Sequence, residues 1–342
     1  MARKYSAKKR MNKIEPAVQT LTFSVSSSNI NGTHYLDLSQ IASLVNRRFY
    51  RQGINWAVAG FKINAETVGA TASVTVSKLP NTWVMSNAWE KSFRAWQRMN
   101  RDALEENESV RPRFLDFKIY ADSTHHLAGF GQNLLPWSLN SQFVAGEWEP
   151  SKIVVPSAIN AAAASSFSRE LVATGASYTG IGASGFDSVS LIEGYAPSRG
   201  LPAIQDPNTP DDMVDSTGLA AENWLTAMFS DGVDSTDIVL DDMAGENNIA
   251  PYPFENGANP VGGTFTDTMY PGGANQGTGL QVHDQHFVTP TTVGGTTRLK
   301  GGNFPCGLIR LDIFGIQSDT EIFIDLVPGN HRGYMCEPMT EM

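Results

Sequence analysis

Residues 307–327 read GLIRLDIFGIQSDTEIFIDLV. Two runs rich in β-branched and aromatic residues, Gly307 to Ile316 and Glu321 to Val327, flank the polar pair Ser318-Asp319. Apolar and polar residues alternate in each run, so each has the period of a strand, and the polar pair between them supplies the turn. Late in the chain the sequence therefore specifies an antiparallel strand pair, and the same period recurs upstream. Leu21, Phe23 and Val25 alternate with Thr and Ser in QTLTFSVS (19–26). Ile54 to Ile63 and Ala72 to Leu79 are two further candidates around a turn at Asn64–Glu66 and Gly69. Phe114 to Tyr120, Trp148 to Val155 and Phe186 to Ile192 bring the count of candidate strands to eight. β-branched and aromatic residues dominate all of them, as a pleated surface prefers.

Helical periodicity interrupts this pattern in three places. Asn87 to Glu106 carries Trp89, Phe93 and Trp96 as an apolar stripe. Met213 to Phe229 and the short Leu38 to Val45 are the others. Residues 196–303 differ in kind. They are rich in Gly, Pro, Asn and Asp (DPNTPDD, NGANPVGG, YPGGANQGTG) and show little strand pattern. A connection that long inside a compact domain is normally functional.

The expected fold is all-β: an eight-stranded jelly roll of two packed antiparallel sheets, with inserted helices and a long late loop insertion. The expected organisation is a basic arm (1–16), jelly-roll strands with a helical insertion near 87–106 (17–195), an acidic surface projection (196–303), and the last strands with a C-terminal tail (304–342).

Composition bounds the function. Hydrophobic residues make up 41% of the 342, enough for a sizeable core. Charged residues make up only 18%, against roughly 25% in an average soluble domain, which fits a surface covered either by the chain itself or by other copies of it. Cys306 and Cys336 are the only cysteines, too few for a disulfide framework or a CxxC-type zinc site. No apolar run approaches the roughly 18 residues of a membrane span, and no apolar h-region follows the charged N-terminus, which argues against a secretory leader.

The net charge of −10 hides a segregation along the chain. Residues 1–120 hold 18 Lys/Arg against 9 Asp/Glu, while residues 200–297 hold 14 acids and no Lys or Arg. Such asymmetry points to nucleic acid or a membrane surface as partner. Arg3, Lys4, Lys8, Lys9, Arg10 and Lys13 all precede the first acid, Glu15. Few apolar residues lie among them, so the segment reads as a flexible basic arm that binds phosphates without reading sequence. A solubilising tail or a nuclear localisation signal fits KKR at 8–10 as well. Arg47, Arg48 and Arg51 in NRRFYRQG surround Phe49 and Tyr50, a basic and aromatic mix that suits single-stranded nucleic acid. Surface arginines whose aromatics anchor a loop would look the same. Lys91, Arg94, Arg98 and Arg101 share a helix face, but i,i+4 acids such as Glu90 compensate them.

Sites for chemistry are sparse. Gly180-Ile-Gly-Ala-Ser-Gly185 matches GxGxxG, yet a strand pattern follows it where the dinucleotide motif needs a helix, so it reads as a turn. Asp231, Asp234 and Asp237, with Asp241 and Asp242 beyond, are the residues that would hold a structural calcium through oxygen ligands, although their spacing is not that of an EF-hand. No other cofactor is expected. His283, Asp284 and His286 form the best metal-like cluster, without the helical register that HxxH needs. No GxSxG elbow or activated cysteine anchors a catalytic reading, and Cys306 reads as a buried small hydrophobe. The chain is not expected to be an enzyme.

The arm MARKYSAKKRMNK, the segment FYRQGINWAVAGFKI and the ending FPCGLIRLDIFGIQSDTEIFIDLVPGNHRGY resemble capsid proteins of small circular Rep-encoding single-stranded DNA viruses and their environmental relatives. The resemblance is one of layout over most of the chain, and the arm here is shorter and less arginine-rich than is typical of that group. It implies a structural jelly-roll subunit that self-assembles into an icosahedral shell and packages single-stranded DNA through its arm. It also implies a place in the virion, and in the host nucleus or cytoplasm during assembly. Under that reading the arm faces inward and the acidic stretch outward. Two other readings stand beside it. One is a carbohydrate-binding module with Trp137, Trp148, Tyr252 and Tyr270 as sugar platforms. The other is a metal-dependent hydrolase built on His283, Asp284 and His286.

Overall fold

Alternation in the sequence becomes two stacked sheets. The computed structural model describes residues 16–106, 116–138, 141–156, 166–196, 198, 224–225, 271–273, 279–289 and 296–339. The chain first forms β1 (Thr20–Val25), β2 (Gly32–Asp37), α1 (Leu38–Asn46), β3 (Ile54–Ala65), β4 (Val68–Lys78) and the long α2 (Trp83–Glu106). α3 (Ser123–Ala128), β5 (Lys152–Pro156), β6 (Ser166–Val172), β7 (Ser188–Ser190) and α4 (Leu191–Tyr195) follow. It returns through β8 (Gln281–Phe287), β9 (Thr296–Phe304), β10 (Leu308–Ile316) and β11 (Thr320–Leu326). The short β12 (Pro328–Gly329), β13 (Gly333–Tyr334) and β14 (Cys336–Pro338) close it.

One large sheet runs β1-β11-β3-β9, with the short β14 pairing the start of β3 at Ile54–Trp56 on the β11 side; the other runs β2-β10-β4-β8. All pairings within the two are antiparallel. Together they make a β-sandwich. Leu21, Phe23 and Val25 of β1 and Ile322 and Ile324 of β11 meet Val74 and Val76 of β4 and Leu311 of β10 in one buried cluster. Removing each such side chain from water contributes roughly 1.5–3 kcal/mol. In β3 the buried residues change phase, from Trp56 and Val58 to Phe61, Ile63 and Ala65. The cause is an extra residue, Ala59: Asp325 pairs with Gly60 but Leu326 with Val58. Opposite this bulge β9 carries Gly301, where a Cβ would lie 2.2 Å from the Val58 carbonyl oxygen.

The two ends of the sandwich differ. At one, the tip, the connections are short, and side chains tie them together. Asp319 accepts from the Ser27 amide at 2.7 Å, Asn31 exchanges two hydrogen bonds with the Ile316 backbone, and Ser318 Oγ accepts from the amides of Glu66 and Thr67. The other end, the base, receives α1 and its loop, both ends of the segment 79–280, and the chain before Thr20 and after Leu326. Within that segment a second core forms. Trp89, Ala95 and Trp96 of α2 pack with Phe117, Ile119, Leu171, Ile192 and Trp224, and reach the sandwich through Tyr35, Cys306 and Leu308.

The two strand runs of 307–327, and those at Gln19–Ser26, Ile54–Ile63 and Ala72–Leu79, correspond to β10, β11, β1, β3 and β4. The helices at Leu38–Val45 and Asn87–Glu106 correspond to α1 and α2. Other expectations need correction. The described part of Phe114–Tyr120 is extended but is no strand beyond an isolated bridge from Tyr120 to Val172. Side chains replace the ladder there. Gln52 bonds both the N–H and the carbonyl of Ile119, and Ser151 Oγ bonds the Lys118 amide and the Asp116 carbonyl. The strand at Trp148–Val155 begins only at Lys152. Phe186–Ile192 is a strand for Ser188–Ser190 alone, because the Ser190 hydroxyl accepts from the Glu193 amide and caps α4. β8 and all but the last residue of β9 lie inside 196–303, where the sequence shows little strand pattern, and both are strands of the sandwich. Of the helix expected over Met213–Phe229, only Trp224 and Leu225 are among the described residues.

Candidate nucleic-acid interface

Helix α1 sets the position of the arginine loop. Asp37 caps it, accepting from the amides of Ser39 (2.9 Å) and Gln40 (3.3 Å), and also from Gln52 Nε2 (3.0 Å) and Trp148 Nε1 (2.9 Å). Burial raises its carboxyl to about 6 in spite of these four donors. The helix stops at Arg47, whose φ of 52° is left-handed. That conformation costs a residue with a Cβ roughly 1–2 kcal/mol, and glycine usually takes it. Arg332, in the turn between β12 and β13, also has φ 52°. Two of the four non-glycine residues with positive φ among those described are thus arginines at the base of the sandwich.

The base gathers segments that are remote in sequence. The buried Tyr50 donates its hydroxyl to the Arg332 carbonyl at 2.9 Å, and the Arg332 guanidinium donates to the Phe49 carbonyl. The Val18 amide donates to Asn46 Oδ1 at 3.0 Å, and Gln19 Nε2 to the Gly333 carbonyl at 3.2 Å. Tyr334 donates its hydroxyl to the Val18 carbonyl and accepts from Asn46 Nδ2. Burial pushes that phenol up to about 12, so it stays a donor. Tyr50, Trp56 and Tyr334 pack together with ring centroids 5.4–5.8 Å apart. Arg47, Arg48 and Arg51 are therefore exposed on a loop fastened to the root of the N-terminal segment. Arg3, Lys4, Lys8, Lys9, Arg10 and Lys13 lie outside the described residues, but the chain that bears them enters at this loop.

A cavity of about 450 Å³ opens beside the loop. Phe49, Trp89, Phe93 and Phe117 supply its aromatic lining, with Arg51, His331, Arg332 and Asp116 among the polar residues. Trp89 and Phe93 stack at 5.0 Å, and Lys118 pairs with Asp116 at 2.8 Å while lying 4.3 Å from the Trp148 ring. The cavity residues outside the arginine loop were not among the sequence candidates. His331 and Arg332 carried a signal, a basic pair in the turn after Pro328-Gly329. Phe117 and Trp89 read only as strand and core residues.

A buried polar network lies deeper in the same region. His125 stacks on Tyr35 at 4.4 Å, accepts from the Ala121 amide and meets Asn133 Oδ1 at 2.8 Å. Burial lowers its pKa to about 3, so the ring is neutral. Asp122 accepts from Tyr35 and pairs with Arg310 at 3.2 Å, docking α3 on β2 and β10.

The remaining candidates do not converge. Asp231, Asp234 and Asp237 lie outside the described residues, as do Tyr252 and Tyr270. Asp284 and His286 lie 3.4 Å apart on β8, whereas His283 turns to the carbonyls of Lys300 and Gly301. Among the described residues no three His, Cys, Asp or Glu side chains come together as a metal site. Trp137 is 41% exposed, but Trp148 has its N–H engaged by Asp37 and Lys118 over its ring, so it is a poor sugar platform. Gly180–Gly185 forms a loop in which Gly182 packs against His126. Lys91 is drawn to the Ser198 carbonyl and Arg94 to Glu90. Burial lifts both thiols above their ordinary value, that of Cys336 to about 12.

The charge-segregated segments both join at the base: the N-terminal segment leads into β1 in the first sheet, and the lysine-free stretch runs into β8 in the second. They do not attach at opposite ends of the strands. Comparison of the chain with family models, curated proteins and solved structures gives no match.

Proposed function

We propose that the chain is a jelly-roll capsid subunit that assembles with copies of itself into an icosahedral shell around single-stranded DNA. One observation carries this reading: the root of the basic arm, at Val18, is hydrogen-bonded to Asn46, the last residue of α1 and the neighbour of Arg47, so two cationic segments act as one phosphate-binding surface. Counterion release from many such surfaces would hold a nucleic acid without reading its sequence.

The strand order supports the fold assignment. β1-β11-β3-β9 and β2-β10-β4-β8 are the two four-stranded halves expected when a long antiparallel hairpin wraps on itself. A low charge content supports repeated contacts between copies, which closed symmetry requires to be self-complementary. Because arm and acidic stretch attach at the same end, separation of their charges must run across the sandwich rather than along its strands.

Expressed protein should form megadalton particles by light scattering, and deletion of residues 2–13 should lower the nucleic acid they contain. Limited proteolysis of intact particles should cut within 196–303 and spare the arm. A monomer in solution, or unchanged nucleic-acid content after the deletion, contradicts the proposal.

A further inference from the structure

The geometry points to the cavity beside the arginine loop as a site for one unstacked base of single-stranded DNA, with the strand's phosphates on Arg51 and Arg332. This rests on the nucleic-acid reading above and adds a base pocket to it.

Three observations carry the inference. The first is shape and lining: about 450 Å³, within the roughly 300–1,000 Å³ of small-molecule sites, with Trp89 and Phe93 stacked and Phe49 and Phe117 alongside. Aromatic faces are what unpaired bases stack on. The second is charge. Arg51 and Arg332 are exposed where they line the cavity. No acid pairs with the Arg51 guanidinium among the described residues, while the one lining carboxylate, Asp116, is already opposed by Lys118. The third is unmatched polarity. The Trp89 indole N–H and Asp116 Oδ1 are buried without a hydrogen-bond partner, Asp116 Oδ2 being held by Lys118. Buried polar groups in that state are rare and call for an explanation. A base edge carries acceptors and donors together, so it can answer both. The cavity also adjoins the root of the N-terminal segment: Arg332, which lines it, precedes Gly333, whose carbonyl holds Gln19.

The test uses the full-length protein, a fluorescein-labelled thymidine dodecamer, and an abasic strand of the same length. Wild type should bind the base-bearing strand at least about fivefold more tightly, as expected of one base stacked on an aromatic wall. Phe93→Leu should erase that preference while leaving affinity for the abasic strand. Arg51→Gln, at an exposed position that does not threaten folding, should weaken both strands alike, as deletion of residues 2–13 should. Equal affinity of wild type for the two strands overturns the pocket but leaves the arm's role standing. So does a preference that survives Phe93→Leu, and if that variant also loses assembly, the cavity receives a neighbouring copy instead. Failure of wild type to bind either strand removes the nucleic-acid reading itself.

Discussion

The Tyr334 hydroxyl donates to the Val18 carbonyl oxygen at 2.7 Å, joining residues 316 positions apart in sequence. The Tyr334 hydroxyl oxygen in turn accepts from Asn46 Nδ2, so a single phenol links the N-terminal segment, the end of α1 and the β12–β13 hairpin.

Tyr334→Phe should therefore loosen the arm's root without disturbing the core. It leaves the Val18 carbonyl and the Asn46 amide each short of a partner, a cost of about 1–2 kcal/mol. Hydrogen exchange at Gln19 and Thr20 should accelerate more than at Ile322 or Ile324. A uniform change across the sandwich would show that the phenol acts on global stability only.

Arg47→Gly should stabilise the fold and weaken binding. Glycine adopts φ 52° without the steric cost an arginine bears, a gain of about 1 kcal/mol in urea denaturation. Loss of the cation should reduce the slope of log affinity against log salt for single-stranded DNA by about one. An unchanged slope would remove Arg47 from the interface.

Asp37 and His125 should set opposing pH dependences. Folded Asp37 titrates near 6, above its unfolded value near 4, so it favours the folded state increasingly as pH falls through 6. Folded His125 titrates near 3, below its unfolded value near 6.5, so stability is lost as pH falls below 6.5. Asp37→Asn removes the first effect alone. Between pH 7 and 4.5 the variant should lose on the order of 2 kcal/mol more than wild type. Parallel stability curves for the two proteins would contradict a protonating Asp37.

Gln52→Leu should uncouple the inserted segment from the sandwich. It leaves the N–H and carbonyl of Ile119 unmatched and removes one donor from Asp37, for about 3 kcal/mol. Protease should then cut near residues 116–122 before the sandwich opens. A loss under about 1 kcal/mol would mean that another group takes over these bonds.

How far the sequence could be read follows from what each strand faces. β1 and β11 have one buried and one open face, so their alternation was legible. β2 buries Tyr35, Leu36 and Asp37 in succession, because the inserted segment covers its outer side, and the period of two vanishes. β8 is exposed on both sides at the sheet edge and shows no period either. β9 contains Gly301 and Gly302, required by close neighbours but typical of loops in a sequence. Phe117 and Ile119 alternate for a different reason: they fill the second core from an extended segment held by side chains. Of the candidate interface, Arg47, Arg48 and Arg51 could be named from charge and aromatics. Their union with Trp89, and with His331 and Arg332 more than 200 residues away, depends on tertiary contacts that no local pattern encodes.

The turns at Ser27, Asn31 and Ser318 are cross-tied at one end of the strands, while α1 and both ends of the inserted segment 79–280 join at the other. A chain lengthened at only one end of its strands can change what it presents there without touching the bonds that close the opposite end.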